Sequence, residues 1–162
     1  MSSPESCIAP SLEDILSSLE LRLETEAAIA KLPLTKALEQ CLVFAQSHNL
    51  PEFSESIKQE LYGYRDQPPN YRYATISYFD VGGQFINGLN QYSVYPIVTG
   101  VTKLELHLKN GLTLMLPKQI LTFLSQVSGR EVDTGHISSQ VIVNLLESIR
   151  KELILKITKN KG

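Results

Sequence analysis

The sequence predicts an α+β domain with a helical amino-terminal half, antiparallel β-hairpins in the middle and a long helix near the carboxyl end. Apolar residues recur at helical spacing as far as Gly63, and prolines mark the breaks between helices. Over residues 102–109 the apolar period changes to two, which is typical of a strand with one buried face. A helical stripe then extends over residues 142–157. Helical and strand periods in separate stretches indicate the α+β class.

Three helices are predicted in the amino-terminal half. Ser11 and Asp14 approximate a capping box, in which a hydroxyl and a carboxylate bind the unpaired amides at a helix start. Pro33 interrupts the apolar pattern, and Pro51 suits the first position of a later helix because no amide donor is needed there. The first predicted helix extends from Ser11 to about residue 30. The second, which Thr35 can cap, has apolar residues from Leu34 to Ala45 and fades at residues 47–49, and the third begins at Pro51 and ends at Gly63.

Two β-hairpins are predicted after a proline-bearing loop. In the first, residues 71–79 and 84–89 are joined by a glycine-containing turn. In the second, residues 102–109 lead into Asn110-Gly111, the dipeptide that favours a type I′ turn. The leucines expected to be buried by this second hairpin are Leu104, Leu106, Leu114 and Leu116.

The carboxy-terminal part is predicted to contain two helices. Pro117 opens a short helix that Gly129 stops, and residues 130–135 are expected to form a loop or a short strand. Ser138 or Ser139 can cap the final helix, which carries the longest apolar stripe in the sequence.

Composition and termini indicate an ordinary globular protein. Hydrophobic residues make up 43% of the chain and charged residues 20%. One domain is predicted over residues 11–160, after a flexible amino terminus of residues 1–10. Neither export nor membrane insertion is indicated, because no basic stretch precedes an apolar run and no run is long enough to cross a bilayer. Cys7 and Cys41 are the only cysteines, which fits a reducing, cytoplasmic location.

The charge is unevenly distributed along the chain. Residues 1–80 carry twelve acids and six bases, whereas residues 81–162 carry five acids and nine bases. Two oppositely charged halves of one domain can complement each other. A nucleic-acid-binding face on the basic half is the alternative. It is not favoured, because five of the nine bases lie on the last helix, where they complement the helix dipole.

Catalytic and metal-binding patterns are not apparent in the sequence. The histidines, at positions 48, 107 and 136, lie far apart in sequence, and no two of them share the spacing of three or four residues that brings metal ligands together on a helix. Cys41 falls on the apolar face of a predicted helix and is therefore interpreted as a buried structural thiol. We expect no bound metal or cofactor, and a non-enzymatic protein is favoured over an enzyme.

The joint between the helices and the first hairpin is rich in tyrosine and arginine, which binding hot spots favour. The candidate binding residues are Tyr62, Tyr64, Arg65, Tyr71 and Arg72. The alternative is structural: the rings fill the joint, and Arg72 pairs with an acid such as Glu60 while packing against Tyr64 or Tyr71.

Two short motifs stand at this joint and together resemble a known family. The third predicted helix ends in Glu60-Leu61-Tyr62-Gly63-Tyr64, and the following loop leads into Pro69-Asn70-Tyr71-Arg72. Their order and spacing resemble the AbiTii domain family of prokaryotic conflict systems. The residues that match the family pattern are Glu60, Leu61, Gly63, Tyr64, Pro69, Tyr71, Arg72 and, on the last helix, Arg150.

The resemblance implies a part in antiphage defence by abortive infection, and it implies no catalytic residues. The predicted function is an interaction or toxin-like module that binds a protein partner or another copy of itself, through the tyrosine–arginine joint or a hairpin edge. A toxin enzyme, such as a nuclease or a nucleotide-modifying effector, is the first alternative. A nucleic-acid-binding domain is the second.

Overall fold

The computed structural model of the chain describes residues 33–159. These residues form an α+β arrangement, as the sequence predicts. The helices are α1 (Leu34–Ser47), α2 (Pro51–Tyr62), α3 (Val101–Leu106), α4 (Lys118–Ser128) and α5 (Ser139–Lys159). The strands are β1 (Tyr73–Thr75), β2 (Ser77–Phe79), β3 (Val94–Pro96), β4 (Leu112–Leu114) and β5 (Thr134–Ile137). Across residues 33–159, each helix is too short or too polar to span a bilayer.

Helices α1 and α2 pack against each other along the apolar faces that their periodicity predicts. Leu38 and Cys41 of α1 are buried, as is Leu61 of α2. Gly63 ends α2 with a φ of 116°, a backbone conformation that favours glycine. The second and third predicted helices are thereby confirmed, whereas the first, at residues 11–30, lies outside the described residues.

The strands form two small antiparallel sheets. In one sheet β1 pairs with β3, and in the other the order is β2-β5-β4. Gly135 of the central strand β5 faces both Tyr78 and Leu114. A Cβ atom at Gly135 would lie 2.9 Å from Cδ1 of Ile76, so a larger residue would disturb the core beneath the sheet.

The first predicted hairpin is present only in part. Residues 71–79 contain two strands, β1 and β2, which belong to different sheets. The chain does turn back after β2, since the amide of Asp80 donates to the carbonyl of Gln84 at 2.9 Å. The returning segment forms a single bridge, from Phe79 to Phe85, and β2 pairs mainly with β5.

The second predicted hairpin is wrong, because its first strand is helix α3. Val101 and Leu104 are buried three residues apart on this helix, whereas Leu106 is 79% exposed. The alternating leucines fit a strand locally, but packing of α3 against α1, α2 and α5 selects the helix. Gly111 has a φ of 79° and closes the turns after α3, and β4 then pairs with β5. Leu116 is buried as expected, and Leu114 is half-buried.

Glu105 of α3 caps the amino-terminal end of α1. Its carboxylate accepts hydrogen bonds from the amides of Leu34 at 2.8 Å and Thr35 at 3.0 Å. These are the first amides of α1, which have no partner within their own helix. The predicted cap at Thr35 is absent, because the carboxylate of Glu105 supplies the cap instead.

The carboxy-terminal helices agree with their predictions. Helix α4 follows Pro117 and ends at Gly129, which has a left-handed conformation. The hydroxyl of Ser138 accepts the amide of Val141 at 3.2 Å and so caps the start of α5. The apolar stripe of α5, which includes Ile142 and other buried residues up to Leu153, contributes to the shared core.

Candidate functional site

The motif residues of the tyrosine–arginine joint come together where four segments meet. The segments are the end of α2, a 3₁₀ turn at Asn70–Arg72, residues 97–99 and helix α5. Arg72 lies at the centre, and its side chain is 0% exposed. Arginine is almost never fully buried unless it is paired. The partners of Arg72 therefore define the site.

The guanidinium of Arg72 is bound on every side. Its Nε donates to Oε1 of Glu60 at 2.8 Å, and its Nη2 lies 2.7 Å from the same oxygen. Nη2 also donates to the backbone carbonyl of Glu60 at 3.0 Å. Nη1 donates to the carbonyls of Ile97, at 3.3 Å, and Thr99. The guanidinium carbon lies 5.0 Å from the ring centroid of Tyr64, a cation–π contact.

Glu60 is the acid that balances this charge, and only 7% of its side chain is exposed. Its second carboxylate oxygen, Oε2, accepts a hydrogen bond from the hydroxyl of Tyr71. Burial and the neighbouring Glu60 carboxylate together raise the pKa of Tyr71 above its ordinary value. The phenol therefore stays protonated and remains a donor to the buried carboxylate. Both oxygens of Glu60 thus have partners inside the protein.

Tyr64 covers the other side of the guanidinium. Burial, with the negative charge of Glu60 as the next cause, raises the pKa of Tyr64 to about 12. The amide of Tyr64 donates to the carbonyl of Val98 at 2.9 Å, and Gly63 and Thr99 form a β-bridge beside it. The backbone at Gly63 and Tyr64 therefore pairs with residues 98 and 99. Arg72 binds the carbonyls of Ile97 and Thr99 in the same segment.

Helix α5 reaches the site through Lys156. Its Nζ donates to Oγ of Ser56 at 3.3 Å and lies 3.5 Å from the hydroxyl oxygen of Tyr71. The same ammonium is 5.7 Å from the centroid of the Tyr71 ring. Glu60, Tyr64, Tyr71, Arg72 and Lys156 form one connected set, here called the Arg72 network.

The spaces beside the Arg72 network are small. A cavity of about 10 Å³ lies between α2, Tyr71 and α5, which is close to the volume that one water molecule occupies. A crevice of about 190 Å³ opens between β1 and α5, and its lining, including Tyr73, Asn144 and Ser148, carries no charged side chain. Cofactor sites are usually larger. Over the described part of the chain, no three His, Cys, Asp or Glu side chains are grouped to hold a metal ion.

The structure separates the five candidate binding residues into two groups. Arg72 is buried, and Tyr64 and Tyr71 are half-buried within the network. Tyr62 is 67% exposed, and Arg65 is also exposed. The expected contacts of Arg72 with Glu60 and Tyr64 are present. Among the family-pattern residues, Leu61 is buried, Gly63, Pro69 and Arg150 are half-buried, and Arg150 lies on α5.

Sequence reasoning missed two parts of the network. In the sequence, Lys156 is one of several bases near the end of a helix. Its partners Ser56 and Tyr71 lie 100 and 85 residues away, so no local pattern links them to it. The carbonyls of Ile97 and Thr99 are backbone groups, which no side-chain motif marks. The Glu60–Arg72 pair, twelve residues apart at the joint, and the packing of Arg72 against Tyr64 could be found from the sequence.

Comparison with known proteins gives one family match. The model of the AbiTii family matches residues 18–160, which include the whole Arg72 network. No curated protein matches the chain, and no solved structure matches it.

Proposed function

The chain belongs to the AbiTii family, and we propose that it acts as a non-enzymatic interaction module in a prokaryotic abortive-infection system. The proposed location is the cytoplasm. The proposed partner is a protein, either another component of the defence system or a second copy of the chain.

The observation that carries this proposal is the closure of the Arg72 network. Glu60 and Tyr71 could in principle serve as an acid and a proton donor, but each binds another group inside the protein. Arg72 is 0% exposed, so a substrate phosphate or carboxylate has no access to its guanidinium. Buried polar groups whose hydrogen bonds are all made inside the protein stabilise one conformation and are not available to a substrate.

The network fixes the position of an exposed surface beside it. Tyr62 directly follows the buried Leu61, and Arg65 lies on the loop after Gly63. Val98, which is 41% exposed, accepts the amide of Tyr64 and so lies next to this segment. Tyr62, Arg65 and Val98 are called the Tyr62 face. Tyrosine and arginine are residue types that binding hot spots favour.

The backbone of Leu61 and Tyr62, which carries the Tyr62 face, packs closely against Gly100. A Cβ atom at Gly100 would lie 2.6 Å from the carbonyl carbon of Tyr62 and 2.7 Å from that of Leu61. The hydroxyl of Thr102 also donates to the carbonyl of Leu61 at 2.8 Å. The end of α2 therefore lies directly against the start of α3. This rigid contact favours binding, because little ordering entropy is lost when a partner docks.

The experiment is phage plaque counting on cells that carry the defence locus with the wild-type or a variant chain. Tyr62→Ala and Arg65→Ala are each expected to lower protection by about tenfold or more, as loss of a hot-spot residue does. Their melting temperatures should stay at the wild-type value, because both side chains are exposed. Matched controls are Val94→Ala and Lys151→Ala, which change exposed residues elsewhere.

Two outcomes would contradict the proposal. The first is full protection by both Tyr62-face variants, which would show that this surface has no partner. The second is cleavage or modification of nucleic acid by the purified chain, which would favour the toxin-enzyme alternative.

A further inference from the structure

The second sheet has one covered edge and one open edge. Beside β2, the amide of Ile86 donates to the carbonyl of Tyr78 at 2.9 Å, so the segment after the turn covers that edge. At the other edge, β4 pairs only with β5. Within residues 33–159, no backbone group outside β5 bonds to the backbone of residues 112–116. Among the described residues, the outward amides and carbonyls of β4 therefore have no backbone partner and can accept another strand.

The open edge is short, since β4 has three residues, but it lacks the charged side chains and prolines that also prevent strand addition. Residues 110–116 contain no charged side chain and no proline. Met115, at the end of β4, is 91% exposed, and Leu106 and Leu108 before it are 79% and 37% exposed. Edge strands are usually protected by lysine, proline or a bulge within the strand. An uncharged edge with exposed apolar neighbours is typical of a surface that pairs with an extended segment.

The charges at the two ends of this edge select the kind of partner. Lys109 precedes β4 and Lys118 follows it, and both are exposed. The acids that adjoin the sheet in sequence, Asp80 after β2 and Asp133 before β5, border the other two strands rather than β4. Along the sequence, the edge therefore has an exposed lysine on each side of an uncharged stretch that contains the exposed Met115.

A second copy of the chain fits this edge poorly. If two β4 strands paired antiparallel about Leu114, Lys118 of one copy would face Asn110 of the other, beside that copy's Lys109. Two pairs of like charges would then approach each other, which opposes the pairing. A partner with acidic ends has the complementary charge.

From these observations we propose that the β4 edge binds an extended segment of a partner protein that is apolar or β-branched in its middle and acidic at both ends. This inference rests on the proposed function as an interaction module and adds a second surface to it. Main-chain hydrogen bonds to β4 supply the affinity, and Met115 with the flanking lysines supplies the specificity.

The test uses synthetic peptides as probes and the full chain. One labelled peptide has alternating valine and threonine in the middle and two aspartates at each end. A second has the same middle and two lysines at each end. The acid-flanked peptide is expected to bind about tenfold more tightly, since two favourable surface charge pairs replace two unfavourable ones. Amide chemical shifts should change at residues 112–115 on binding.

Variants assign the binding to the β4 edge. Met115→Glu places a negative charge on the edge and should weaken the acid-flanked peptide, whereas Val81→Glu, at a residue 69% exposed on another loop, should not. The double variant Lys109→Glu with Lys118→Glu should reverse the preference between the two peptides. Lys58→Glu with Lys151→Glu is the matched control, because both lysines are exposed outside this region.

Three results would overturn this inference. They are no binding of either peptide, binding that is equal for both, or shifts confined to residues far from β4. A dimer in sedimentation that Met115→Glu abolishes would also overturn it, because the occupant would then be a second copy. If Met115→Glu keeps full phage protection while Tyr62→Ala loses it, only the β4 inference fails. If both variants keep it, the proposed function fails.

Discussion

Replacing Arg72 by alanine should lower the free energy of unfolding by about 3–5 kcal/mol. The change removes the positive partner of Glu60, whose side chain is only 7% exposed. The carboxylate then remains buried with the hydroxyl of Tyr71 as its principal partner. Removing one member of a buried ion pair is costly because the remaining charge is neither hydrated nor balanced.

The contacts in the structure support the upper part of this range. Arg72→Ala removes the two contacts with Oε1 of Glu60, at 2.8 and 2.7 Å, and leaves the carbonyls of Ile97 and Thr99 without this donor. Each buried polar group that loses its partner costs about 1–3 kcal/mol, and these costs overlap with that of the unpaired charge. A typical domain is stable by about 5–15 kcal/mol, so this loss is a large fraction of the total stability.

The assay is urea denaturation followed by far-ultraviolet circular dichroism, because the chain contains no tryptophan. The matched control is Arg130→Ala, which breaks the ion pair with Asp80 at the surface, where the Arg130 side chain is 40% exposed. The urea midpoint should fall strongly for Arg72→Ala and change little for Arg130→Ala.

A double-mutant cycle separates the ion pair from simple loss of packing. Glu60→Leu, Arg72→Met and the double variant should not be additive, and the double variant should be less destabilised than the sum by about 0.5–3 kcal/mol. A loss of under about 1 kcal/mol for Arg72→Ala, or additive single effects, would refute the reasoning. The Arg72 network would then not hold the joint together.

Two further predictions concern the cap on α1 and the buried tyrosines. Glu105→Ala should lower the unfolding free energy by about 1–2 kcal/mol because it removes the acceptor of the Leu34 and Thr35 amides, whereas Glu39→Ala, at an exposed position on α1, should not. The contribution of the buried tyrosines to stability should be constant below about pH 10, and stability should fall as the pH rises from there toward about 12. Burial raises the pKa of Tyr64 and Tyr78 to about 12 in the folded state, so the unfolded chain loses these protons first. Urea midpoints measured across this interval check the sign, and a midpoint that rises with pH would contradict it.

Much of the helical part of the fold could be predicted from the sequence. Helices α1, α2, α4 and α5 each carry an apolar stripe over three or more turns. Prolines or glycines border α1, α2 and α4, and Ser138 caps the start of α5. In such segments the local signal and the tertiary contacts favour the same structure.

The strands and α3 could not be predicted in the same way. Strands of three or four residues are too short for an alternating pattern to be distinctive. Residues 102–109 show the opposite case, since the period of two is clear but Leu106 is exposed to solvent. The decisive contacts of α3, such as that of Glu105 with the start of α1, join residues about seventy positions apart.

Sequence reasoning could predict the part of the candidate site in which a charged side chain needs a partner of opposite charge. Glu60 and Arg72 stand at the two ends of the joint, and pairing them needs only the assumption that the joint is compact. The same reasoning does not reveal that Arg72 is inaccessible, because burial depends on how α5 and residues 97–99 cover it. Exposure of Tyr62 and burial of Tyr71 likewise depend on tertiary contacts.

The buried pair also restricts how the gene can change over generations. A lineage that replaces only Glu60 or only Arg72 passes through a protein with an uncompensated interior charge, and selection removes such intermediates when folding is required. An apolar pair of similar volume could serve equally well, but only if both codons change together. Among relatives, the two positions, twelve residues apart, should therefore be inherited as a unit and appear as a covarying pair.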